Sequence, residues 1–201
     1  MLRRAALAAL SATLLAVAPA LVAPAFGASA SPTASPAAAD AVAGAPKVVI
    51  VVGAVESTTS SFRTDADSIY AEAIKYTPNV VKVYSPNATW AAVSAAAQGA
   101  SIFIYLGHGY GFPSPYKTVL TPSVHDGMGL NEVAGNGDAD KKYYGESVVA
   151  AGIKLAKNAV VILDHACYSA GSSESGMAEP TLPVAKQRID RAEDGRAEIR
   201  R

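Results

Sequence analysis

Two residues of the 201-residue chain combine reactive chemistry with telling surroundings: Cys167, the only cysteine, and His108, one of three histidines. A thiol attacks a carbonyl carbon as the thiolate, and an imidazole beside it can take the thiol proton and later return it to the leaving group. A free thiol has a pKa of about 8.5, and a histidine partner brings it several units lower. Each unit is worth about 1.4 kcal/mol, so one well-placed partner changes the population of nucleophile greatly. His108 stands in YLGHG (Tyr105 to Gly109), between two glycines that let the backbone turn sharply. Cys167 stands in HACYSAG (His165 to Gly171). The amides of Gly109 and Cys167 could point at a developing oxyanion, a contact worth roughly 3 to 4 kcal/mol per donor. As a single thiol Cys167 forms no internal disulfide, and its plainer alternative is a buried, inert small hydrophobe.

The elements that would hold this pair are legible as alternating strands and helices. VVIVVG from Val48 to Gly53 is a β-branched run ended by glycine, which predicts a strand buried on both faces. After a Ser/Thr-rich loop, Ala66, Ile69, Tyr70, Ala73 and Ile74 recur at helical spacing behind Asp65 and Asp67, acidic residues suited to a helix N-terminus. VVKVY, Val80 to Tyr84, predicts a second strand. Thr89 or Asn87 can cap a short helix containing Trp90, Val93 and Ala97, which Gly99 ends. SIFIYLGHG, Ser101 to Gly109, reads as a third strand running into His108. A long segment from Tyr110 to Gly145 is rich in Gly, Pro, Asn and Asp without a sustained period, and loops of this length in compact domains are commonly functional or disordered. A short helix is expected near Glu146 to Ala156, weakened by Gly152. AVVILDHAC, Ala159 to Cys167, reads as the fourth strand. This alternation predicts an α/β fold with a mostly parallel sheet covered by helices. Such sheets bind ligands beyond their strand C-termini, where both His108 and Cys167 fall.

Other candidates compete. His165 lies two positions before Cys167, so on an extended strand the two would share a face and could chelate a metal, although two further ligands are wanting. His125, in the long loop, reads as a solvated residue and a weaker rival to His108. NGDAD, Asn136 to Asp140, offers alternating oxygen ligands around Asp138, yet Lys141 and Ser147 occupy positions where a calcium-binding EF-hand needs Gly and Glu. GSSES, Gly171 to Ser175, misses the last glycine of a serine nucleophile elbow. No dinucleotide or Walker glycine pattern follows Gly53.

Seventeen basic residues balance seventeen acidic ones, so no net field draws the chain toward nucleic acid or an anionic membrane. Residues 1–30 read as a secretory signal: Arg3 and Arg4, an Ala/Leu-rich run to Val17, then small residues with cleavage after Gly27 or Ala30. Residues 31–46 read as a disordered Ala/Ser/Pro linker, residues 47–185 as the folded domain, and residues 186–201 as a charged tail. The expected location is extracellular, with no stable membrane insertion once the signal is removed.

YLGHG and HACYSAG together resemble the caspase-like cysteine peptidases, the class that includes caspases, metacaspases, gingipains and legumains. In that family one strand ends in His-Gly and the following one in Ala-Cys or Ser-Cys trailed by small residues. The order of strand, helix, strand, helix, His strand and Cys strand also matches, over roughly residues 47 to 175. The resemblance implies a three-layer fold and an endopeptidase with His108 as general base and acid, Cys167 as nucleophile, a peptide or protein substrate, and no cofactor. It further places Arg63, in SFRTDAD, where family members that cleave after acidic residues keep an arginine between the first strand and first helix to bind the substrate carboxylate. The small-residue element is stretched by Ala170. Only 34 residues follow Cys167, and ten of the last sixteen are charged, so relative to the family the C-terminal strands would be missing. The competing expectation is a non-catalytic exported domain whose loop aromatics (Tyr110, Phe112, Tyr116, Tyr143, Tyr144) contact an extracellular partner.

Overall fold

Four strands form a parallel sheet in the order β2-β1-β3-β6: β1 (Val48–Val52), β2 (Val80–Tyr84), β3 (Ile102–Leu106) and β6 (Val160–Asp164). The computed structural model describes residues 44–169, 180–187 and 190. The expected signal peptide and most of the linker lie outside these residues, as do GSSES and most of the charged tail. Pro46 is already tied down, its carbonyl accepting from Thr77 Oγ1 at 2.8 Å.

β1 is apolar and β-branched throughout, and every one of its residues is buried, as a central parallel strand requires. Its alternate side chains serve two cores. Val48, Ile50 and Val52 join Ile104 and Leu106 on one face, covered by Phe62, Ala66, Ile69, Tyr70 and Ala73 of helix α1 (Thr59–Ala73). Val49 and Val51 join Phe103 and Tyr105 on the other, covered by helices α2 (Trp90–Ala97) and α3 (Glu146–Gly152). The chain is therefore α/β, with a parallel four-stranded sheet flanked by helices on both faces.

The first helix begins at Thr59, about two turns before Ala66, where its apolar period starts. Thr59 is buried, and its Oγ1 accepts from the amide of Val55 at 2.8 Å, so the Ser/Thr run is helical rather than a loop. Asp65 and Asp67 consequently sit inside α1, where Asp67 pairs with Lys82 of β2 at 3.1 Å. Arg63 likewise lies on the helix and not in the preceding connection. α2 starts as expected, with Thr89 Oγ1 accepting from Ala92 N at 3.3 Å, and Gly99 leaves the helix at φ +68°.

The long segment after β3 is ordered. Strands β4 (Met128–Leu130) and β5 (Lys142–Tyr144) pair antiparallel, and Gly109 bridges Met128, which binds this small sheet to the end of β3. β6 stops at Asp164, three residues short of Cys167. It is the border strand of the described sheet, and Val160, Ile162 and Leu163 remain 50%, 44% and 41% exposed.

Candidate active site

The chain runs from β1 outward to β2 and then returns to the other side of β1 as β3. The carboxyl ends of β1 and β3 thus flank the switch point, where open α/β sheets leave a crevice. The loop after β1 carries Glu56, the loop after β3 carries His108, and the loop after the neighbouring β6 carries Cys167. All three leave the same end of the sheet.

Tyr105 braces the histidine. Its side chain is fully buried, and its hydroxyl donates to the carbonyl of His108 at 2.8 Å and approaches the carbonyl of Gly129 at 3.0 Å while accepting from the amide of Gly129 at 3.0 Å. Burial pushes its pKa far up, so it stays a neutral donor. Gly53 and Gly107 make room for this ring: a β-carbon at Gly53 would lie 3.0 Å from the hydroxyl, and one at Gly107 would lie closer still. The amide of Gly129 donates to the His108 carbonyl at 3.1 Å as well.

Glu56 meets the imidazole directly, with His108 Nε2 at 2.9 Å from Glu56 Oε2, and its other oxygen binds Lys141 Nζ. A carboxylate on one ring nitrogen fixes the tautomer and stabilises the imidazolium that forms when the ring takes a proton. Glu56 reaches this position from a left-handed backbone, φ +46°, a conformation unfavourable for a residue with a side chain, and its amide is held by the carbonyl of Asp138 at 2.9 Å.

Gly109 joins the two halves. A β-carbon there would lie 2.8 Å from both Cys167 N and Ala166 C and closer still to Cys167 O. The residue that follows the histidine therefore presses its backbone on the backbone of the cysteine, an approach open only to glycine. Around Cys167 the chain is tightly curved: His165 has φ +57°, Tyr168 has φ +63°, and Ser169 Oγ donates to Ala166 O at 2.6 Å. Cys167 is half-buried and, as the one cysteine of the chain, forms no internal disulfide.

Arg63 is engaged within the protein. Its Nε donates to Ser85 O at 3.0 Å, and its Nη2 binds Asp138 Oδ1, which also accepts from Ser85 Oγ at 2.8 Å. Asp140 Oδ2 accepts from Val133 N at 2.7 Å. Both carboxylates of NGDAD thus fasten their own loop, and among the described residues no group of three His, Cys, Asp or Glu side chains could hold a metal ion.

The left-handed turn at His165 breaks the extended geometry that would have set it on one face with Cys167, and its ring instead stacks on Phe62 at 4.8 Å. His125 is buried, not solvated: its Nδ1 accepts from Thr121 N at 2.8 Å, and Tyr110 and Phe112 pack on its ring. Tyr110 also packs on Tyr143, and Tyr144 stacks on Trp90, so most of the loop aromatics hold the loop to itself and to α2. Tyr116 stays 53% exposed.

No family model, curated protein or solved structure matches the chain. The rim's chemistry is carried by its own residues. Of those singled out from the sequence, Gly109 lies with its backbone against that of Cys167, His108 immediately precedes that contact, and Arg63 is a helix residue clamped to Asp138. Glu56 and Tyr105 were missed. The signal for Tyr105 lay in the glycines two residues after it and at the end of β1, which leave space for a large ring. Glu56 had no local signal, since 52 positions separate it from His108.

Proposed function

We propose that the protein is a secreted, caspase-like cysteine endopeptidase in which Cys167 attacks the scissile carbonyl and His108 moves the proton. The observation that carries this reading is the close backbone approach of Gly109 to Cys167 at the ends of adjoining parallel strands. It sets the imidazole-bearing and thiol-bearing turns side by side.

In the acylation step the thiolate sulfur bonds to the peptide carbonyl carbon, and the carbonyl electron pair moves onto oxygen. The amides of Gly109 and Cys167 are the candidate donors to that oxyanion. Collapse of the intermediate expels the amine, which takes its proton from the His108 imidazolium, and water attacks the resulting thioester with His108 as base. Glu56 acts through His108 as a positioning residue, stabilising the charged ring between the two proton transfers. No cofactor enters this sequence.

The direct test is hydrolysis of a fluorogenic peptide library by the full chain. Cys167→Ala should remove hydrolysis completely while leaving the circular dichroism spectrum intact, and His108→Ala should reduce it by about 10² to 10⁴, the usual contribution of a general base. Undiminished cleavage by folded Cys167→Ala protein would end the proposal.

A further inference from the structure

Arg63, Ser85 and Asp138 form a second cluster, and their contacts lead in one direction. Arg63 Nη2 and Ser85 Oγ converge on Asp138 Oδ1, and Arg63 Nε binds the carbonyl of Ser85, so α1, the end of β2 and the 131–141 loop are tied at one carboxylate. The backbone carbonyl of the same Asp138 accepts from the amide of Glu56. That bond holds Glu56 at φ +46°, and from this backbone its carboxylate reaches His108 Nε2. The loop is tightened further by Asn131, whose Nδ2 donates to Gly137 O at 2.9 Å and Asp140 O at 3.1 Å.

We infer that Arg63, with Ser85 and Asp138, is a positioning device that sets the Glu56 carboxylate on His108. Its role is thus distinct from reading a substrate carboxylate. The inference rests on the reading of His108 as the general base. With Nε on the Ser85 carbonyl and Nη2 on Asp138, Arg63 acts through the main chain of Asp138. The strained backbone of Glu56 is the reason a clamp is needed: a left-handed glutamate relaxes unless its surroundings hold it.

The sign of a charge effect separates this role from bystander electrostatics. Among the described residues, the ionisable groups near His108 include Glu56 and Lys141, Tyr143 of β5 with ring centroids 6.5 Å apart, Tyr105 beneath its carbonyl, and Cys167 beyond Gly109. Removing the cation Arg63 would, by Coulomb's law alone, make His108 easier to protonate. If Arg63 positions Glu56, its removal releases the carboxylate and makes His108 harder to protonate.

The experiment is an NMR titration of the histidine ring signals of the full chain in a Cys167→Ala background, which removes coupling to the thiol. The His108 signal is assigned with His108→Gln. Glu56→Gln should lower the His108 pKa by about one unit or more, the scale of an adjacent opposite charge. Arg63→Gln should lower it in the same direction by a smaller amount, and the charge-neutral Ser85→Ala should lower it slightly. Both effects should vanish once Glu56→Gln is present, and Arg63→Lys should restore part of the shift. An unchanged or raised His108 pKa in folded Arg63→Gln, or lowering that persists undiminished in the Glu56→Gln background, overturns the inference. If Arg63→Gln fails to fold, an unchanged His108 pKa in Ser85→Ala overturns it instead. Because the titration needs no substrate, absence of peptide hydrolysis would defeat the peptidase reading without touching this result.

Discussion

The histidine side of the rim is braced from several directions, whereas the cysteine side stands at the border of the sheet. His108 has its carbonyl held by the Tyr105 hydroxyl and the Gly129 amide, and its ring is held by Glu56. Cys167 follows a strand with one described neighbour, whose apolar side chains are half exposed, and it sits within a tight turn between two left-handed residues. The general base proposed at His108 must be aimed before a reaction begins, and the buried centre of a sheet supplies that rigidity. Among the described residues, the turn of the proposed nucleophile meets the loop after β3 through the backbone contacts of Gly109 with Cys167 and of Gly111 with Tyr168.

That asymmetry can be broken where the two sides meet. Gly109→Ala should have the largest effect, because its β-carbon would force apart the His108 and Cys167 turns. The expected outcome is a loss of peptide hydrolysis on the order of 10², the cost of a small misplacement of reacting groups, together with a destabilisation of about 1 to 3 kcal/mol. Stopped-time hydrolysis assays and urea unfolding read the two effects separately, and a fully active Gly109→Ala protein would show that the turns are independent.

Tyr105→Phe tests the brace itself. It leaves the buried carbonyls of His108 and Gly129 with one hydrogen-bond donor fewer and should cost about 1 to 3 kcal/mol of stability in urea unfolding. A change within about 0.5 kcal/mol, the range typical of ordinary surface substitutions, would mean that the hydroxyl is not what holds the turn. On the open side, Ile162→Thr should change stability by less than about 0.5 kcal/mol, since Ile162 is 44% exposed on the border strand. A loss several-fold larger would reveal that the β6 edge is covered in solution and that the two sides are more alike than described.

The sequence made the strands legible where burial dictates composition. β2 matches the expected run from end to end, and β1 ends one residue before the glycine. Their apolar, β-branched residues allow few other structures. The beginning of α1 was hidden because Ser and Thr are indifferent helix formers, and only the buried contact of Thr59 with Val55 reveals that the helix has started. β4 and β5 have three residues each and include Gly129, too short for any period to emerge. His108 and Cys167 could be found because each ends an apolar run. Glu56 could not, because its partnership with His108 exists only through the pairing of β1 with β3 and the grip of Asp138. His125 misled for the opposite reason, since a polar residue in a glycine-rich loop gives no sign that aromatic neighbours will bury it.

The pairing of thiol and imidazole is tested most directly by the pH dependence of alkylation, which a single cysteine makes unambiguous. Iodoacetamide should modify Cys167 of the native full chain at a thiolate rate that persists to about pH 6 to 7, and His108→Ala should move the midpoint up toward the value of a free thiol, about 8.5. A midpoint near 8.5 in both proteins would contradict the account, because it would mean that the histidine and the cysteine do not meet.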